Sequence, residues 1–330
     1  MQNFLSQPVF EQGGWRQEQL SYAYRPVTLS KSSFLFWRIR YFRVMRIFLL
    51  LFSFTLISLC SSAAIIDTVS VSSKAMNRAR KCVVIVPGNT KKTSAKFPAV
   101  YLLHGFGGNY RNWIDKVPQL AAYADEYRTV IVCPDGEFSS WYYDSPVDSS
   151  MRYETYISTE IPQFIEANYP VIRDIKARAI TGLSMGGHGG LFLGFRHAGS
   201  FGACGSMSGA LTIEHITRGY HVDRRLGDTA NKQRYREYSI MQQMEQYPKD
   251  SIVIIIDCGT EDFVIEMSRV AHKKMLSLKI PHDYIERPGR HDWQYWSTAI
   301  QYQLLFFRNY FDKAYGTTAL STAPQQRKPM

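Results

Sequence analysis

The chain has 330 residues, of which 45% are apolar, 14% aromatic and 20% charged, and this composition excludes a disordered or fibrous protein. The formal net charge is +11, but residues 1–63 hold seven basic and two acidic side chains, so the rest of the chain carries only +6. That excess is spread along the sequence without a dense basic block, and we expect no nucleic-acid partner.

The first predicted element is an export signal. Residues 47–59 are uncharged and consist mostly of Leu, Phe and Ile, a run that is short for a membrane span of about 20 residues. Ser61 and Ala63 follow with the small-x-small spacing of a cleavage site. We therefore expect residues 45–63 to be a signal peptide that is cleaved after Ala63, and the mature protein to be secreted or periplasmic.

Other interpretations of the N-terminal segment stay open. Residues 1–44 precede a natural start at Met45. We interpret them as an extension that is either not native or the result of a start codon assigned too early. Cys60 could carry the lipid of a lipoprotein, and the apolar run could be retained as an anchor. Only in these cases do we expect contact with a membrane.

The sequence from residue 64 to residue 315 predicts one α/β domain. Short runs rich in Val and Ile alternate with stretches in which apolar residues return every three or four positions. Predicted strands lie at residues 65–71, 82–86, 99–104, 129–133, 177–181, 203–207, 251–256 and 283–286. Predicted helices lie at residues 113–126, 155–168, 185–196, 263–278 and 293–311. Strands that are apolar on both faces indicate a mostly parallel sheet with helices on both sides, and residues 316–330 are predicted to be a disordered tail.

Two stretches interrupt this alternation, the first a loop and the second an insertion. Residues 137–153 are rich in Trp and Tyr, and residues 211–250 are polar and charged. Either stretch could overhang a site, although aromatic side chains also pack loops onto a core.

Four cysteines follow the predicted cleavage site. Cys82, Cys133, Cys204 and Cys258 are irregularly spaced, and several of them lie in apolar runs. We expect buried free thiols, although an exported protein can form disulfides. The sequence has no Cys-x-x-Cys pair, so we expect no metal site.

The strongest chemical motif is Gly-Leu-Ser-Met-Gly at residues 182–186. It follows a predicted strand and precedes a predicted helix, the context in which Gly-x-Ser-x-Gly forms a sharp turn that exposes the serine hydroxyl. Ser184 is the candidate nucleophile, and the N–H of Met185 is a candidate donor to an oxyanion. His188 lies on the same helix, and we expect it to pack in the interior.

A serine nucleophile needs a base and an acid that orients the base. The loop after the seventh predicted strand offers Asp262, and a later glycine-containing loop offers His291. The order Ser, Asp, His is that of the α/β hydrolases. Asp257 and Glu261 compete for the role of the acid, but we expect Asp257 to lie in the strand and Glu261 to point elsewhere.

A second oxyanion donor is expected at the end of the third predicted strand. Residues 104–108 read His-Gly-Phe-Gly-Gly, which matches the His-Gly-x-Gly type of oxyanion loop. We assign this donor to the backbone N–H of Phe106, paired with that of Met185. The His104 side chain is expected to be structural.

Together these motifs resemble a known family. Residues 102–109, 182–190, 259–262 and 289–293 are similar to the motifs of the Putative esterase family of α/β hydrolases. That family includes S-formylglutathione hydrolase (esterase D), tributyrin esterases, acetylxylan and feruloyl esterases, and mycolyltransferases. The resemblance covers about residues 65–311. It implies an α/β-hydrolase fold with about eight strands, and acyl-ester chemistry without a cofactor.

The resemblance places Ser184, Asp262 and His291 at the family's triad positions. Ser184 would then attack an ester carbonyl while His291 accepts its proton, and water would hydrolyse the acyl-enzyme. Arg290 departs from the pattern, because a small residue often precedes the histidine. It could narrow the pocket or add a positive charge to it.

We therefore expect a secreted serine carboxylesterase whose substrate is a small-molecule or polysaccharide ester, with acetyl or feruloyl esters of plant polysaccharide favoured. Trp113, Trp141 and Tyr142 are the candidates for lining its pocket, because aromatic faces stack on sugars and phenolic rings. Export disfavours an S-formylglutathione hydrolase-like thioesterase, since glutathione belongs to the cytosol. A short-chain, tributyrin-type esterase, an acyltransferase and a catalytically inactive carbohydrate-binding protein stay open as alternatives.

Overall fold

The computed structural model describes residues 41, 45, 46, 63–88, 95–216, 219–247 and 251–316. The chain divides into two units, Met1–Cys60 and Ser61–Met330. Only three residues of the first unit are described, all of them helical, so the apolar run of the predicted signal peptide lies outside the described residues. The predicted tail beyond residue 316 lies outside them too. Within the described ranges, no helix is both long enough and apolar enough to span a membrane.

The second unit is built on an eight-stranded sheet. The strands are β1 (Ile65–Ser73), β2 (Arg78–Val86), β3 (Ala99–Leu103), β4 (Val130–Pro134), β5 (Arg178–Gly182), β6 (Ala203–Met207), β7 (Val253–Gly259) and β8 (Asp283–Arg287). Their order across the sheet is β1-β2-β4-β3-β5-β6-β7-β8. Strand β2 pairs antiparallel with β1 and β4, and the five other neighbouring pairs are parallel. The predicted α/β fold with a mostly parallel sheet of about eight strands is confirmed.

Helices cover both faces of this sheet. The described α-helices are α1 (Asn112–Lys116), α2 (Leu120–Glu126), α3 (Tyr153–Thr155), α4 (Ile161–Asn168), α5 (Met185–Arg196), α6 (Val222–Leu226), α7 (Lys232–Glu237), α8 (Ile240–Gln243), α9 (Ile265–Ser277) and α10 (Trp293–Tyr315). A π-helical turn, Tyr156–Glu160, joins α3 to α4. Short 3₁₀ turns span Ile175–Ala177, Ile213–His215 and Met244–Gln246.

One predicted helix is wrong in its extent. The apolar spacing predicts a single helix over residues 113–126, but the chain forms α1 and α2 with Pro118 between them. A proline inside a helix lacks the N–H for one backbone hydrogen bond, and its ring clashes with the preceding turn. The first helix therefore ends at Lys116, and the second begins at Leu120.

Alternate residues of the strands enter two apolar cores, one on each face of the sheet. One core contains Val84 and Tyr101 and is covered by side chains of α4, α5 and α9. The other contains Val83 and Val100 and is covered by α1, α2 and α10. The four cysteines of the domain are buried with free thiols, which confirms that prediction.

The strand order decides where the functional loops lie. Parallel strands end at the same edge of a sheet, and ligand sites of α/β proteins lie there. The loops after β3, β5, β7 and β8 carry the His-Gly-Phe-Gly-Gly motif, Ser184, Asp262 and His291 in turn. These four loops therefore meet at one edge.

Candidate active site

Ser184 lies on a strained turn between β5 and α5. Its φ and ψ are 55° and −116°, a conformation that residues other than glycine rarely adopt. A Cβ on Gly182 would lie 2.6 Å from the carbonyl oxygen of Leu103, so the turn has no room for a larger residue there. The Ser184 N–H donates to the carbonyl oxygen of Met207 at 2.9 Å, which fixes the turn against the end of β6.

Ser184, His291 and Asp262 form a continuous chain of hydrogen bonds. Nε2 of His291 lies 2.9 Å from Ser184 Oγ, and Nδ1 lies 2.9 Å from both carboxylate oxygens of Asp262. An ionised carboxylate can only accept, so Nδ1 carries the proton and Nε2 is left to accept from the serine hydroxyl. The Asp262 side chain is fully buried, whereas 18% of the His291 side chain is exposed. The structure thus brings together the three residues that the sequence assigns to a triad.

Backbone hydrogen bonds join the acid loop to the histidine loop. The N–H of Thr260 donates to the carbonyl oxygen of Arg287 at 2.8 Å, and the N–H of Glu261 donates to that of Gly289 at 3.0 Å. A Cβ on Gly259 would lie 2.3 Å from the Gly289 oxygen, so only glycine fits where the loops meet. The base and the acid are therefore held together by the main chain as well as by their own hydrogen bonds.

The two other acidic candidates have different partners. Asp257 lies in β7 with no exposed side-chain surface and accepts hydrogen bonds from side chains of β8 and α10. Burial raises the pKa of its carboxyl group. Glu261 is exposed and pairs with Arg290 at 3.1 Å. Nδ1 of His291 bonds to Asp262 and Nε2 bonds to Ser184, so neither ring nitrogen is paired with Asp257 or Glu261. This favours Asp262 as the residue that orients the histidine.

The predicted oxyanion loop packs directly on the serine. A Cβ on Gly105 would lie 3.4 Å from Ser184 Cβ. In the described part of the chain, the backbone N–H groups of Phe106 and Met185 donate to no other residue. Met185 opens the 12-residue helix α5, whose first N–H groups have no partner within the helix. Two such donors beside a nucleophile could stabilise a developing oxyanion.

The His104 side chain supports this loop from the interior. It is buried, its Nε2 accepts the N–H of Gly136 at 2.8 Å, and its Nδ1 lies 2.8 Å from the carbonyl oxygen of Gly105. The N–H of Gly107 donates to the carbonyl oxygen of Phe138 at 2.7 Å. These bonds tie the oxyanion loop to the loop after β4, which is the structural role expected for the histidine.

A cleft of about 340 Å³ opens beside the serine. Its walls include five aromatic residues, Phe106, Tyr220, Phe263, Trp293 and Trp296. Phe263 is 61% exposed, and its ring centre lies 4.5 Å from that of His291. The described residues that line the cleft include no lysine, arginine, aspartate or glutamate, and the groups that could take part in proton transfer are Ser184, His291 and the Tyr220 phenol. The site therefore offers flat apolar faces next to the nucleophile.

The three aromatic residues predicted to line the pocket do not line this cleft. Trp113, Trp141 and Tyr142 are all buried. Trp113 Nε1 donates to the carbonyl oxygen of Leu103 at 3.0 Å, and the Tyr142 hydroxyl donates to that of His104 at 2.8 Å. These side chains support the strand and loops that carry the site, so the pocket prediction is wrong for all three.

Arg290 does not enter the cleft either. Its side chain is 75% exposed and pairs with Glu261. It lines a separate hollow of about 410 Å³, together with Gln294 and Thr298. The narrowing or added charge that the sequence suggests is therefore not found in the cleft beside the serine.

The aromatic residues that do line the cleft are missed by the sequence reasoning. Phe263 directly follows the acid, and Trp293 and Trp296 lie in the first turn of α10, just after the histidine. Their position in the sequence next to the chemical motifs is the signal that could have identified them. Tyr220 belongs to the 211–250 insertion, one of the two stretches that could overhang a site.

An eight-stranded α/β sheet with a serine on a strand–turn–helix elbow, bonded to a histidine and a buried aspartate, defines an α/β hydrolase. Comparison with known proteins identifies the family. The family model described as Putative esterase matches residues 73–307, and the chain belongs to this family.

Individual relatives agree with that assignment. The chain is 26% identical over 220 residues to an acetyl esterase of Caldicellulosiruptor saccharolyticus, a match that covers 63% of this chain and 82% of that protein. It is 29% identical over 190 residues to an S-formylglutathione hydrolase of Rattus norvegicus, which covers 51% and 66% of the two chains. Among solved structures, a ferulic acid esterase superposes with a TM-score of 0.66 at 27% identity, covering 76% of this chain and 99% of that one. The protein is therefore a carboxylic ester hydrolase with the α/β-hydrolase fold.

Proposed function

We propose that this protein is a secreted serine carboxylesterase that removes acetyl or feruloyl groups from plant polysaccharide. The observation that carries the proposal is the chain of 2.9 Å contacts from Ser184 Oγ through the His291 imidazole to the Asp262 carboxylate, at the edge of an aromatic cleft. A hydroxyl in that setting becomes a nucleophile because a neutral imidazole can take its proton.

The reaction follows from these positions. Ser184 Oγ attacks the ester carbonyl as its proton passes to His291 Nε2, and the oxyanion is stabilised by the N–H groups of Phe106 and Met185. Asp262 stabilises the imidazolium that forms. The imidazolium then gives its proton to the leaving alcohol, and an acyl-enzyme remains on Ser184. Water, deprotonated by the same imidazole, releases the acid and restores the hydroxyl.

The chemistry of the cleft supports a sugar or phenolic ester over a glutathione thioester. Glutathione carries two carboxylates and an ammonium group, whereas the described lining offers no lysine, arginine, aspartate or glutamate to pair with them. Aromatic faces suit the apolar faces of sugar rings and the ring of a feruloyl group. Relatives named acetyl esterase and ferulic acid esterase are consistent with substrates of this kind.

A panel of esters tests the proposal. The purified protein is assayed on p-nitrophenyl acetate, p-nitrophenyl butyrate, methyl ferulate and acetylated xylan, with Ser184→Ala as the blank. We expect turnover of acetylated xylan or methyl ferulate, absent from the variant. Turnover of the two small activated esters alone would favour a short-chain esterase, and no turnover of any of the four would contradict ester hydrolysis by this site.

Secretion is tested separately. The pattern of residues 45–63 supports export and cleavage, so the full chain expressed in an exporting bacterial host is expected to yield a mature protein that begins at Ala64. Intact-mass measurement of the exported and membrane fractions checks this. A lipid-modified chain that begins at Cys60, or an uncleaved chain in the membrane fraction, would contradict it.

A further inference from the structure

Asp257 is a buried carboxylate near the candidate triad. It takes no part in the proposed reaction. Its side chain has no exposed surface. Nη2 of Arg287 lies 2.8 and 2.7 Å from its two oxygens, and the Tyr295 hydroxyl donates to Oδ1. A buried ion pair gains little stability over apolar side chains of similar volume. Stability alone therefore does not explain a charge at this position.

The two donors bracket the loop that carries His291. Arg287 is the last residue of β8, and Tyr295 lies in the first turn of α10. The Tyr295 ring also fills the loop, because a Cβ on Gly289 would lie 2.3 Å from ring atom Cδ2. One carboxylate thus ties together both ends of the histidine loop.

The backbone of the same aspartate is linked to the serine turn. The carbonyl oxygen of Asp257 accepts the N–H of Ser208 at 2.8 Å. The residue before Ser208 is Met207, whose carbonyl oxygen accepts the N–H of Ser184 at 2.9 Å. Trp296, on α10, donates from Nε1 to Ser208 Oγ at 3.1 Å. Asp257 therefore lies between the serine turn and the histidine loop, with hydrogen bonds leading to both.

We propose that Asp257 is a positioning residue that holds His291 at hydrogen-bond distance from Ser184, and that it acts through Arg287 and Tyr295. This inference rests on the proposed function, in which the histidine is the general base. Proton transfer requires close geometry, and a misplacement of about 1 Å can cost ~100-fold in rate. Since Asp257 does not line the cleft, its loss slows the chemical step and leaves substrate binding intact.

The test compares Asp257→Asn and Tyr295→Phe with a matched control, Glu154→Gln. Glu154 is also a buried carboxylate bonded to an arginine, Arg196, and to a second side chain, but it does not line the cleft. Active sites are titrated with a serine-directed phosphonate, and kcat and KM on p-nitrophenyl acetate are measured per titrated site. We expect kcat to fall about 10- to 100-fold in Asp257→Asn and about 3- to 10-fold in Tyr295→Phe, with KM within about twofold and Glu154→Gln unchanged.

A purely structural role gives a different result. It would lower Tm and the fraction of active sites that react with the phosphonate, but it would leave kcat per reactive site unchanged. That outcome would overturn the proposal. The double variant is expected to be no slower than Asp257→Asn alone, because both changes break the same contact. If Asp257→Asn does not fold, Tyr295→Phe decides, since it keeps the ring in the loop and removes only one hydroxyl.

The Nδ1 proton of His291 provides a readout that needs no ester. Its downfield NMR resonance, assigned by its loss in His291→Ala, is expected to shift or broaden in Asp257→Asn and Tyr295→Phe and to stay in place in Glu154→Gln. An unchanged resonance would overturn the positioning role. A shifted resonance in a protein that hydrolyses no ester would contradict the proposed function and leave the positioning role standing.

Discussion

Nδ1 of His291 lies 2.9 Å from each of the two carboxylate oxygens of Asp262. The carboxylate is buried, and one of its oxygens also accepts the N–H of Val264 at 3.0 Å. A buried acceptor that is fixed by the backbone holds the imidazole in one orientation and one tautomer. The neighbouring Glu261, although only one residue away, is exposed and cannot supply this.

Replacing this acid should therefore be far more damaging than replacing its neighbour. We expect Asp262→Asn to lower kcat on p-nitrophenyl acetate by roughly 10⁴-fold, because an amide favours the wrong tautomer of the histidine. Glu261→Gln removes only an exposed ion pair with Arg290 and should stay within about twofold of the wild type. Comparable losses in the two variants would contradict the choice of acid.

The serine turn and the oxyanion loop are packed too closely for an extra methyl group. A Cβ on Gly186 would lie 2.6 Å from the carbonyl oxygen of His104 and 2.7 Å from that of Leu103. Both obstacles are backbone atoms, so Gly186→Ala must move the end of β3 and the loop that follows it. We expect a loss of about 1–3 kcal/mol in the free energy of unfolding, together with a lower kcat.

Urea unfolding and ester turnover check this prediction, and Gly199→Ala is the matched control. A Cβ on Gly199 meets no atom within 4 Å, so that variant should keep the stability and activity of the wild type. If both alanine variants behaved alike, the close packing of the two loops would not be what fixes the site.

The residues that carry the chemistry could be predicted because their order in the sequence encodes their place in the fold. A Gly-x-Ser-x-Gly motif between a strand and a helix predicts the exposed turn at Ser184. Parallel strands bring the loops of Asp262 and His291 to the same edge of the sheet. The structure places the three side chains within hydrogen-bond distance.

The walls of the cleft could not be predicted in the same way. Trp141 and Tyr142 have φ angles of 55° and 61°, a left-handed backbone that is rare outside glycine, and both side chains are buried. Trp141 Nε1 donates to the carbonyl oxygen of Tyr220 at 2.8 Å, across 79 residues of sequence. An aromatic side chain packs equally well in a core or in a pocket. Contacts between such distant segments decide which one it enters.

Phe263 is expected to select for aromatic acyl groups. It is 61% exposed and lines the cleft against the His291 ring. An aromatic contact contributes about 1 kcal/mol, so Phe263→Ala should raise KM for methyl ferulate by about three- to tenfold. The same variant should change KM for p-nitrophenyl butyrate less, since an aliphatic acyl chain lacks the ring on that side of the ester.

Steady-state kinetics on the two esters measure this difference, with Leu276→Ala as the control. Leu276 is similarly exposed, at 58%, but lies on α9 and does not line the cleft, so its loss should alter neither KM. An equal change in KM for both esters in Phe263→Ala would show that the ring does not distinguish an aromatic from an aliphatic acyl group.

The stability of the protein should fall on mild acidification because of His188. This histidine is buried, donates from Nδ1 to the carbonyl oxygen of Ala210 at 2.9 Å, and accepts at Nε2 from the Tyr143 hydroxyl at 2.8 Å. Burial lowers its pKa from 6.5 to about 3. Between these values the unfolded chain binds a proton that the folded protein does not, so the stabilisation is present above pH 6.5 and is lost as the pH falls below it.

Urea unfolding of the wild type and of His188→Gln at pH 7 and pH 5 tests this expectation. Glutamine can keep a donor and an acceptor at the site but does not titrate, while every other group that titrates is shared by the two proteins. The wild type should therefore lose on the order of 2 kcal/mol more than the variant between pH 7 and pH 5. An equal loss of unfolding free energy in the two proteins would contradict the prediction. It would mean that His188 is protonated in the folded protein and carries a buried charge.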